Sequence, residues 1–447
     1  LADSLLNFST CLSNLGRHEE ALTAIQEVVD VYRPLAAGQP AIFNANLALS
    51  LNNLSVDLSS HGRHAEALAA IQEAVGLDRA LAAEQPAAFN AALAYSLSNL
   101  SLRLSDHGRH EEALAAIQEA VGLRRALAAE RPAAFNAALA SSLNNLSAHL
   151  SNLGRHEEAL AAIQEAVGLR RALAAERPEA FNADLALSLN NFSNRLSDLG
   201  RHEEALATIQ EAVGLRRALA AERPEAFNAD LALSLNNLSI RLSDHGRHAE
   251  ALAAIQDAVK LHRALAAERP QAFNADLAQS LNNLSIRLSD HGRHAEALAA
   301  IQEGVGLRRA LAAERPAVFN ADLAESLNNL SGDLSDHGRR EEALAAIQEA
   351  VGLRRALAAE RPAAFNAVLA DSLYNLSLQF SRLGRHEEAL EPAQEAVSLR
   401  RALAADRPMV FTSKLSNALR RLSECLSASG QEAGAKVALK EARSLRL

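Results

Sequence analysis

The chain has 447 residues, a net charge of −9, a pI near 6 and an aromatic content of 3% without any tryptophan. The acidic balance argues against a general nucleic-acid-binding protein, because such domains usually carry a net basic field. The sequence contains no run of about 18 apolar residues that could span a bilayer, and no signal peptide is visible. We therefore expect a soluble protein, cytoplasmic by default, with no nucleic-acid partner and no membrane partner.

The turn motif Gly-Arg-His-Glu-Glu-Ala-Leu returns every 46 residues along the chain. A fixed long period is typical of a solenoid, in which each unit contacts only its neighbours. The alanine- and leucine-rich composition favours close-packed helices over a sheet. We predict an all-α fold, an α-solenoid of about ten antiparallel helical hairpins in a single domain over residues 1–447, with the last hairpin as a C-terminal cap. The motif copies begin at Gly16, Gly62, Gly108, Gly154, Gly200, Gly246, Gly292, Gly338, Gly384 and, in degenerate form, Gly430.

Residues 86–107 predict the first helix of a hairpin. Pro86 suits the first helical position because its missing N–H needs no partner there, while Asn90 offers an alternative cap one turn later. Gly108 then ends the helix, since glycine adopts the left-handed conformation without penalty. The apolar face consists of leucines at spacings of four, three and four, namely Leu93, Leu97, Leu100 and Leu104.

The second helix of the same hairpin is predicted from His110 to the Arg131-Pro132 step. Acidic residues occupy its first turn, where the helix dipole favours them, and the short turn before it makes the two helices antiparallel. Its apolar residues are Ala113, Leu114, Ile117, Ala120, Val121 and Leu127. A glycine inside this helix predicts either a close approach of a neighbouring backbone or a bend. This glycine is Gly122, and its equivalents are Gly76, Gly168, Gly214, Gly306 and Gly352.

The pattern resembles the tetratricopeptide repeat, in the long-helix variety found in kinesin light chains. The resemblance depends on the turn glycine, on two alanines of the second helix (Ala67 and Ala74 in one copy) and on the sequence Leu-Asn-Asn-Leu, which begins at Leu51, Leu143, Leu189, Leu235, Leu281 and Leu327. Where the family has Trp and Tyr in the first helix, this chain has Leu51 and Leu58. The resemblance implies a right-handed superhelix whose concave groove binds proteins or peptides. Similar arrays occur in bacterial and fungal multidomain proteins beside signalling ATPases or caspase-like peptidases, which implies a recognition or sensor arm.

One stripe of the first helix varies between repeats, while the residues around it barely change. In residues 86–107 this variable stripe contains Ala92, Tyr95, Asn99, Leu102 and Asp106, whose spacing points their side chains the same way. The resemblance implies that the stripe lines the groove. Its asparagine both donates and accepts hydrogen bonds, so it can hold a peptide backbone of any sequence while varied neighbours select side chains.

The predicted peptide-binding residues belong to three groups. The first group is the recurring asparagine of the stripe: Asn53, Asn99, Asn145, Asn191, Asn237, Asn283, Asn329 and Asn375. The second group contains varied stripe residues, namely Tyr95, Leu102 and the Asn194 that corresponds to Leu102. The third group contains arginines at the position after Leu102, namely Arg103, Arg195, Arg241 and Arg287.

Each of these patterns has a structural alternative. The asparagines can form hydrogen bonds between repeats, and the variation can mark solvent exposure alone. The His-x-x-His motif, as at His107/His110, is interpreted as part of the turn and not as a metal site, because no Cys or third ligand accompanies it. The arginine pairs, as at Arg124/Arg125, can form a phosphate-binding ladder. Glutamates one or two turns away in the same helix, such as Glu119, are instead expected to pair with them or simply to keep this face solvated.

The sequence contains no phosphate-binding loop, nucleophile elbow or converging acid–base set. We therefore expect a non-catalytic scaffold without metal or cofactor that binds a protein or peptide, as an arm of a larger protein with further domains upstream of Leu1. The alternative hypothesis is a structural array that self-associates through its repeat ends into oligomers or filaments. Cys11 and Cys425 are predicted not to pair, since they occupy equivalent places in the first and last hairpins.

Overall fold

The computed structural model describes Leu5, Phe8, Ser9, Cys11, Leu12 and residues 17–445, apart from the side chain of His18. The predicted turn at Gly16 lies outside these residues. The described residues form helices and turns without any strand, which confirms the all-α prediction. The helices are α1 (His18–Gly38), α2 (Pro40–Ser60), α3 (His64–Glu84), α4 (Pro86–Asp106), α5 (His110–Glu130), α6 (Pro132–Asn152), α7 (His156–Glu176), α8 (Pro178–Asp198), α9 (His202–Glu222), α10 (Pro224–Asp244), α11 (His248–Glu268), α12 (Pro270–Asp290), α13 (His294–Glu314), α14 (Pro316–Asp336), α15 (Arg340–Glu360), α16 (Pro362–Arg382), α17 (His386–Asp406), α18 (Pro408–Ala428) and α19 (Glu432–Ser444).

The contacts of the chain define two compact units, residues 1–199 and residues 200–447. Unit 1 contains α1–α8 and unit 2 contains α9–α19. Within each unit every helix packs against the helix before it and the helix after it, as a stack of hairpins requires. The single domain over residues 1–447 stays a prediction. In the described part of the chain, no helix is both long enough and apolar enough to cross a bilayer.

The bounds of the even-numbered helices follow from proline and glycine. Pro86 occupies the first turn of α4, so the helix begins there and not at the later cap offered by Asn90. Gly108 ends α4 with a φ of 73°. Its N–H donates to Ser105 O at 2.8 Å, and the N–H of Arg109 donates to Leu104 O at 3.0 Å, which satisfies the last carbonyls of the helix. The same positive φ, between 69° and 80°, recurs at the turn glycines from Gly62 to Gly430.

A single residue joins each odd-numbered helix to the next even-numbered one. Between α5 and α6 this residue is Arg131, whose N–H donates to Leu127 O at 2.9 Å and whose carbonyl accepts from Phe135 N at 3.2 Å. Its guanidinium also lies over the Phe135 ring, 4.9 Å from the centroid. The same stacking recurs at the later connections, so the arginine that the sequence presents as a helix end also fixes the start of the next helix.

The core consists of leucine from the first helix and of alanine and isoleucine from the second. Leu93, Leu97 and Leu104 of α4 are at most 5% exposed, whereas the fourth predicted leucine, Leu100, is only partly buried. Ile117 of α5 is fully buried. Alanines at the contact between helices allow close approach, so most of the buried apolar surface comes from small and aliphatic side chains, with few buried aromatics such as Tyr32 and Phe380.

The recurring glycine inside the second helix is not explained by a close approach of another backbone. A Cβ added at Gly122, and at its equivalents Gly76, Gly168, Gly214, Gly306 and Gly352, would meet nothing within 4 Å. That alternative is wrong for these six positions. The helices continue through the glycines, which lie on an exposed face, and the structure gives no physical reason for them.

Candidate functional site

The variable stripe is partly exposed to solvent in both units, and its chemistry changes from hairpin to hairpin. In unit 1, Leu49 and Val56 of α2 and Tyr95 of α4 expose 44–47% of their surfaces. In unit 2, the positions equivalent to Tyr95 include Glu325, which is exposed, and Asp371, which is half-buried. Leu187 in unit 1 and Leu233 in unit 2 occupy the same position and are exposed as well. The stripe therefore offers apolar side chains in unit 1, and both an apolar side chain and carboxylates in unit 2. Leu102 and Asn194, two of the predicted binding residues, are half-buried in unit 1.

The asparagine of the stripe contributes to a hydrogen-bonded ladder between neighbouring repeats. Asn99 Nδ2 donates to Asn52 Oδ1 of the preceding hairpin at 2.7 Å. The same bond joins Asn191 to Asn144 in unit 1 at 3.1 Å, and Asn329 to Asn282 and Asn375 to Asn328 in unit 2 at 2.9 and 3.0 Å. All eight asparagines, including Asn53, Asn145, Asn237 and Asn283, are half-buried. Four of the asparagines thus use one amide N–H for a hydrogen bond between repeats, which is the structural alternative given above. Binding of a ligand by the eight asparagines stays a prediction.

The predicted binding arginines lie beside the stripe with their side chains mostly buried. Arg103, Arg195, Arg241 and Arg287 expose 13–17% of their side chains, and each pairs with the aspartate three residues later at 3.2–3.4 Å. At the same position His149 contacts Ser101 Oγ of the preceding hairpin at 3.2 Å, and Asp333 accepts from Ser289 Oγ at 2.9 Å. His149 and Asp333 therefore contact the neighbouring repeat, whereas the four arginines pair within their own helices, and a role of the arginines in ligand selection stays a prediction.

A second set of arginines, which the sequence analysis did not place at the site, reaches the stripe from the odd-numbered helices. This inner row contains the first arginine of each pair, and it is at most 8% exposed. Its members are Arg124, Arg170, Arg216, Arg308, Arg354 and Arg400, while Asp78 and His262 occupy the equivalent positions of α3 and α11.

The inner row binds groups at fixed sequence separations. Arg170 illustrates two of them: its Nη1 pairs with Asp184 of the next helix at 2.5 Å, and its Nη2 donates to Ser141 of the stripe at 2.7 Å. At the same separation of 29 residues, Arg308 donates to Gln279 and Arg400 donates to Asp371. The buried guanidinium therefore contacts a residue of the stripe. A third register joins the row to a buried serine, as in Arg308 to Ser326 at 2.7 Å. The signal was present in the sequence, because this serine recurs among apolar residues at eight successive positions 46 residues apart, from Ser50 to Ser372.

Burial perturbs the charged groups of the inner row. It lowers the pKa of Arg124, Arg170, Arg308 and Arg354, and that of Arg400 to about 10. Burial also lowers the pKa of His262, which is 0% exposed, to about 4. Guanidinium groups stay protonated at neutral pH in spite of such shifts, whereas His262 is neutral there.

The second arginine of each pair forms a different set of contacts. This outer row is exposed and binds the glutamate 40 residues later, in the second helix of the next hairpin. Arg79 pairs with Glu119 at 2.6 Å, and Arg125 pairs with Glu165. The expected pairing of Arg125 with Glu119 of its own helix is therefore wrong, because stacked second helices bring residues of successive hairpins together. The further pairs are Arg33–Glu73, Arg263–Glu303, Arg309–Glu349, Arg355–Glu395 and Arg401–Glu441.

The histidines of the turns contact one another between hairpins. His64 packs edge-on against His107, with ring centroids 6.5 Å apart, and His248 packs in the same way against His291. Within the described ranges, no group of three His, Cys, Asp or Glu side chains is placed to hold a metal ion. Cys11 is exposed, Cys425 is buried, and both are free thiols.

Comparison with known proteins identifies the repeat. Family models described as tetratricopeptide repeat match residues 47–77, 93–130, 139–177, 185–223, 231–268, 277–314, 323–360 and 369–406, and a further one matches residues 2–34. No curated protein matches the chain.

Solved structures with a similar fold include three whose identity to this chain is below 20%. BtubC (BKLC) from P. vanneervenii is 19% identical, covering 55% of this chain and 91% of its own, with a TM-score of 0.46. The kinesin light chain nearly identical TPR-like repeats of Podosopora anserina are 18% identical over 49% of this chain and 96% of theirs, with a TM-score of 0.38. A Rap protein complexed with Competence and Sporulation Factor is 14% identical over 91% of this chain and 99% of its own, with a TM-score of 0.53.

Proposed function

Because the chain belongs to the tetratricopeptide repeat family, we propose that it is a non-catalytic scaffold that binds a protein or peptide along the variable stripe. The observation that carries the proposal is the exposed apolar surface of unit 1. Leu49 and Val56 lie seven residues apart on one face of α2, and Tyr95 lies at the stripe of α4. Exposed apolar side chains grouped on one surface are typical of an interaction site.

Three further points support the proposal. The side chains that differ between hairpins are on the stripe, whereas the core residues repeat, so selectivity can change without loss of the fold. The Rap protein of similar fold is described as a complex with Competence and Sporulation Factor, which sets a precedent for ligand binding by such an array. The stripe also combines apolar contact with the half-buried asparagines, whose remaining amide groups can bind a peptide backbone.

The proposal extends to the setting of the protein. Tetratricopeptide arrays generally act as scaffolds, and we propose that this one is the recognition or sensor arm of a larger cytoplasmic protein. Self-association through the repeat ends into oligomers or filaments is the alternative.

Binding to a library of random 12-residue peptides tests the proposal. We expect the wild-type chain to select a set of related peptides. Leu49→Ser combined with Tyr95→Ala should lower the affinity for the selected peptides by about tenfold or more, since two exposed apolar contacts are lost. The matched control is Arg125→Ala, which changes an exposed residue of the outer row, and should leave affinity unchanged.

Two results would contradict the proposal. One is the absence of any selected peptide, together with oligomers or filaments of the chain in sedimentation and electron microscopy, which would favour self-association. The other is an equal loss of affinity in the stripe variant and in the outer-row control, because the bound surface would then not be the stripe.

A further inference from the structure

The inner row differs from hairpin to hairpin in its charge balance. Arg170 and Arg400 each form an ion pair with a carboxylate, Asp184 in the first case and Asp371 in the second. Arg216 pairs in the same way with Asp230. Arg308 and Arg354 contact neutral acceptors, but both lie within the electrostatic range of Glu325. A buried guanidinium in these hairpins thus has an acidic group at its side.

Arg124 lacks such a group within the described part of the chain. Its Nη1 donates to the carbonyl of Ala138 at 2.9 Å and to Ser142 Oγ, both of which are neutral. Ala138 occupies the position that Asp184 has in the next hairpin, and Tyr95 occupies the position of Asp371. The residue is 8% exposed. A buried cation without an opposite charge is costly, so a carboxylate that approached it would be bound strongly.

The position of Arg124 relative to the stripe makes such an approach feasible. The guanidinium of Arg170 reaches the stripe at Ser141, 29 residues earlier in the chain. The same separation joins Arg124 to Tyr95, a residue that is 44% exposed and whose hydroxyl lies within the electrostatic range of the guanidinium. Ser141, which precedes the serine bound by Arg124, is also exposed. Arg124 is thus buried beneath an exposed part of the stripe.

We propose that Arg124 binds a side-chain carboxylate of the ligand, so that unit 1 recognises an acidic peptide segment. An aspartate or glutamate of the segment supplies the negative charge that Asp184 and Asp371 supply elsewhere. Apolar residues beside it lie against Leu49, Val56 and Tyr95. This specificity rests on the proposed function, because it assigns a ligand class to the same stripe.

The test uses the natural difference between hairpins. Ala138→Asp gives Arg124 the internal partner that Arg170 already has, and aspartate is native at this position in four other hairpins, at Asp184, Asp230, Asp276 and Asp322. The probe is an array of random 12-residue peptides, acetylated and amidated so that side chains carry the only carboxylates. The full chain is used throughout, and circular dichroism confirms that the variant is helical.

We expect the wild-type chain to select peptides with Asp or Glu at one position near apolar residues. Ala138→Asp should lower the affinity for the best acidic peptide by about tenfold, because the internal carboxylate competes for Arg124. The same peptide with Gln at that position should bind both chains with equal, lower affinity. The control Val368→Asp places the same charge beside Arg354, which already has Glu325 nearby, and should not change the binding of this peptide.

The outcomes separate this inference from the proposed function. If the wild-type chain selects no peptides at all, the proposed function fails and the inference fails with it. If peptides are selected without an acidic position, or if Ala138→Asp leaves the affinity of the acidic peptide unchanged, the assignment of Arg124 is overturned while the scaffold function stands.

Discussion

The inner and outer rows consist of adjacent arginines of one sequence motif, yet they occupy opposite environments. Arg308 is 2% exposed and donates to the backbone carbonyl of Asp322, whereas Arg309 exposes 53% of its side chain and pairs with Glu349. The partner of the outer row is a glutamate in each pair that the structure describes. The partners of the inner row change from hairpin to hairpin. The outer row therefore joins neighbouring repeats by the same contact throughout. The inner row instead links the repeated core residues to the residues of the variable stripe.

This difference has a consequence for how the array can diversify. A substitution at a stripe position such as Asp371 or Ser141 changes a surface side chain and also the polar partner of a buried arginine. The chemistry of the stripe and the stability of the frame are thus coupled through the inner row. Substitutions in the outer row carry no such coupling, because water can solvate both members of an exposed pair.

Removing a carboxylate from the inner row should give the largest effect. Asp371→Leu leaves Arg400, whose side chain is 4% exposed, without its carboxylate and close to Lys414, which lies 3.8 Å from Asp371. We expect unit 2 to lose roughly 2 to 3 kcal/mol of unfolding free energy, less than for a fully buried pair because Asp371 is partly solvated. Urea unfolding of the full chain measures this loss.

The double variant Asp371→Leu/Arg400→Leu is the control for that measurement. Replacing both charges by apolar groups should recover most of the lost stability, since no unpaired charge remains buried. A single variant as stable as the wild type would show that the inner row does not need its carboxylates, and the contrast between the rows would then disappear.

The histidine of the inner row gives a smaller, pH-dependent effect. Burial lowers the pKa of His262 to about 4, below its ordinary value of 6.5, so the unfolded chain binds more protons between these values. The contribution of neutral His262 to the free energy of unfolding is complete above pH 6.5 and is lost as the pH falls towards 4. This amounts to about 2 kcal/mol between pH 7 and pH 5.

His262→Arg removes that contribution. Arginine is native at this position in six other hairpins, and Asp276 occupies the position of the aspartate that pairs with Arg216, so the variant has a carboxylate available. We expect the difference in stability between pH 7 and pH 5, measured by urea unfolding, to be smaller in the variant than in the wild type. Equal differences in the two proteins would mean that His262 is not buried as a neutral group.

The helices and the core of the hairpins were predictable from the sequence. Pro86 and Gly108 mark the two ends of α4 because their backbone requirements are local. The apolar spacing identified Leu93 and Ile117 as core residues for the same reason. The resemblance to the tetratricopeptide repeat is confirmed by the family models that match residues along most of the chain.

The polar contacts were less predictable, because they depend on the register between stacked helices. Pairing with glutamates one or two turns away in the same helix was expected for Arg125, as with Glu119, whereas the packing brings Arg125 to Glu165. Because the sequence does not give the register between stacked helices, it also left open whether Asn99 faces a ligand or binds the asparagine of the preceding hairpin. A period of 46 residues states which residues are equivalent. It does not state which residues of neighbouring repeats touch.

A single exposed pair should give the smallest effect and completes the contrast between the rows. Arg309→Ala removes the guanidinium from Glu349, whose carboxylate remains accessible to water. We expect a change of less than about 0.5 kcal/mol in unfolding free energy, decreasing further at high salt because exposed charges are screened. Arg308→Ala, one residue earlier, removes a side chain that donates to Ser326 and to the carbonyl of Asp322 inside the packing, and it should cost several times more. Equal effects in urea unfolding of the two variants would contradict the division into rows, because only the difference in burial distinguishes two arginines joined by one peptide bond.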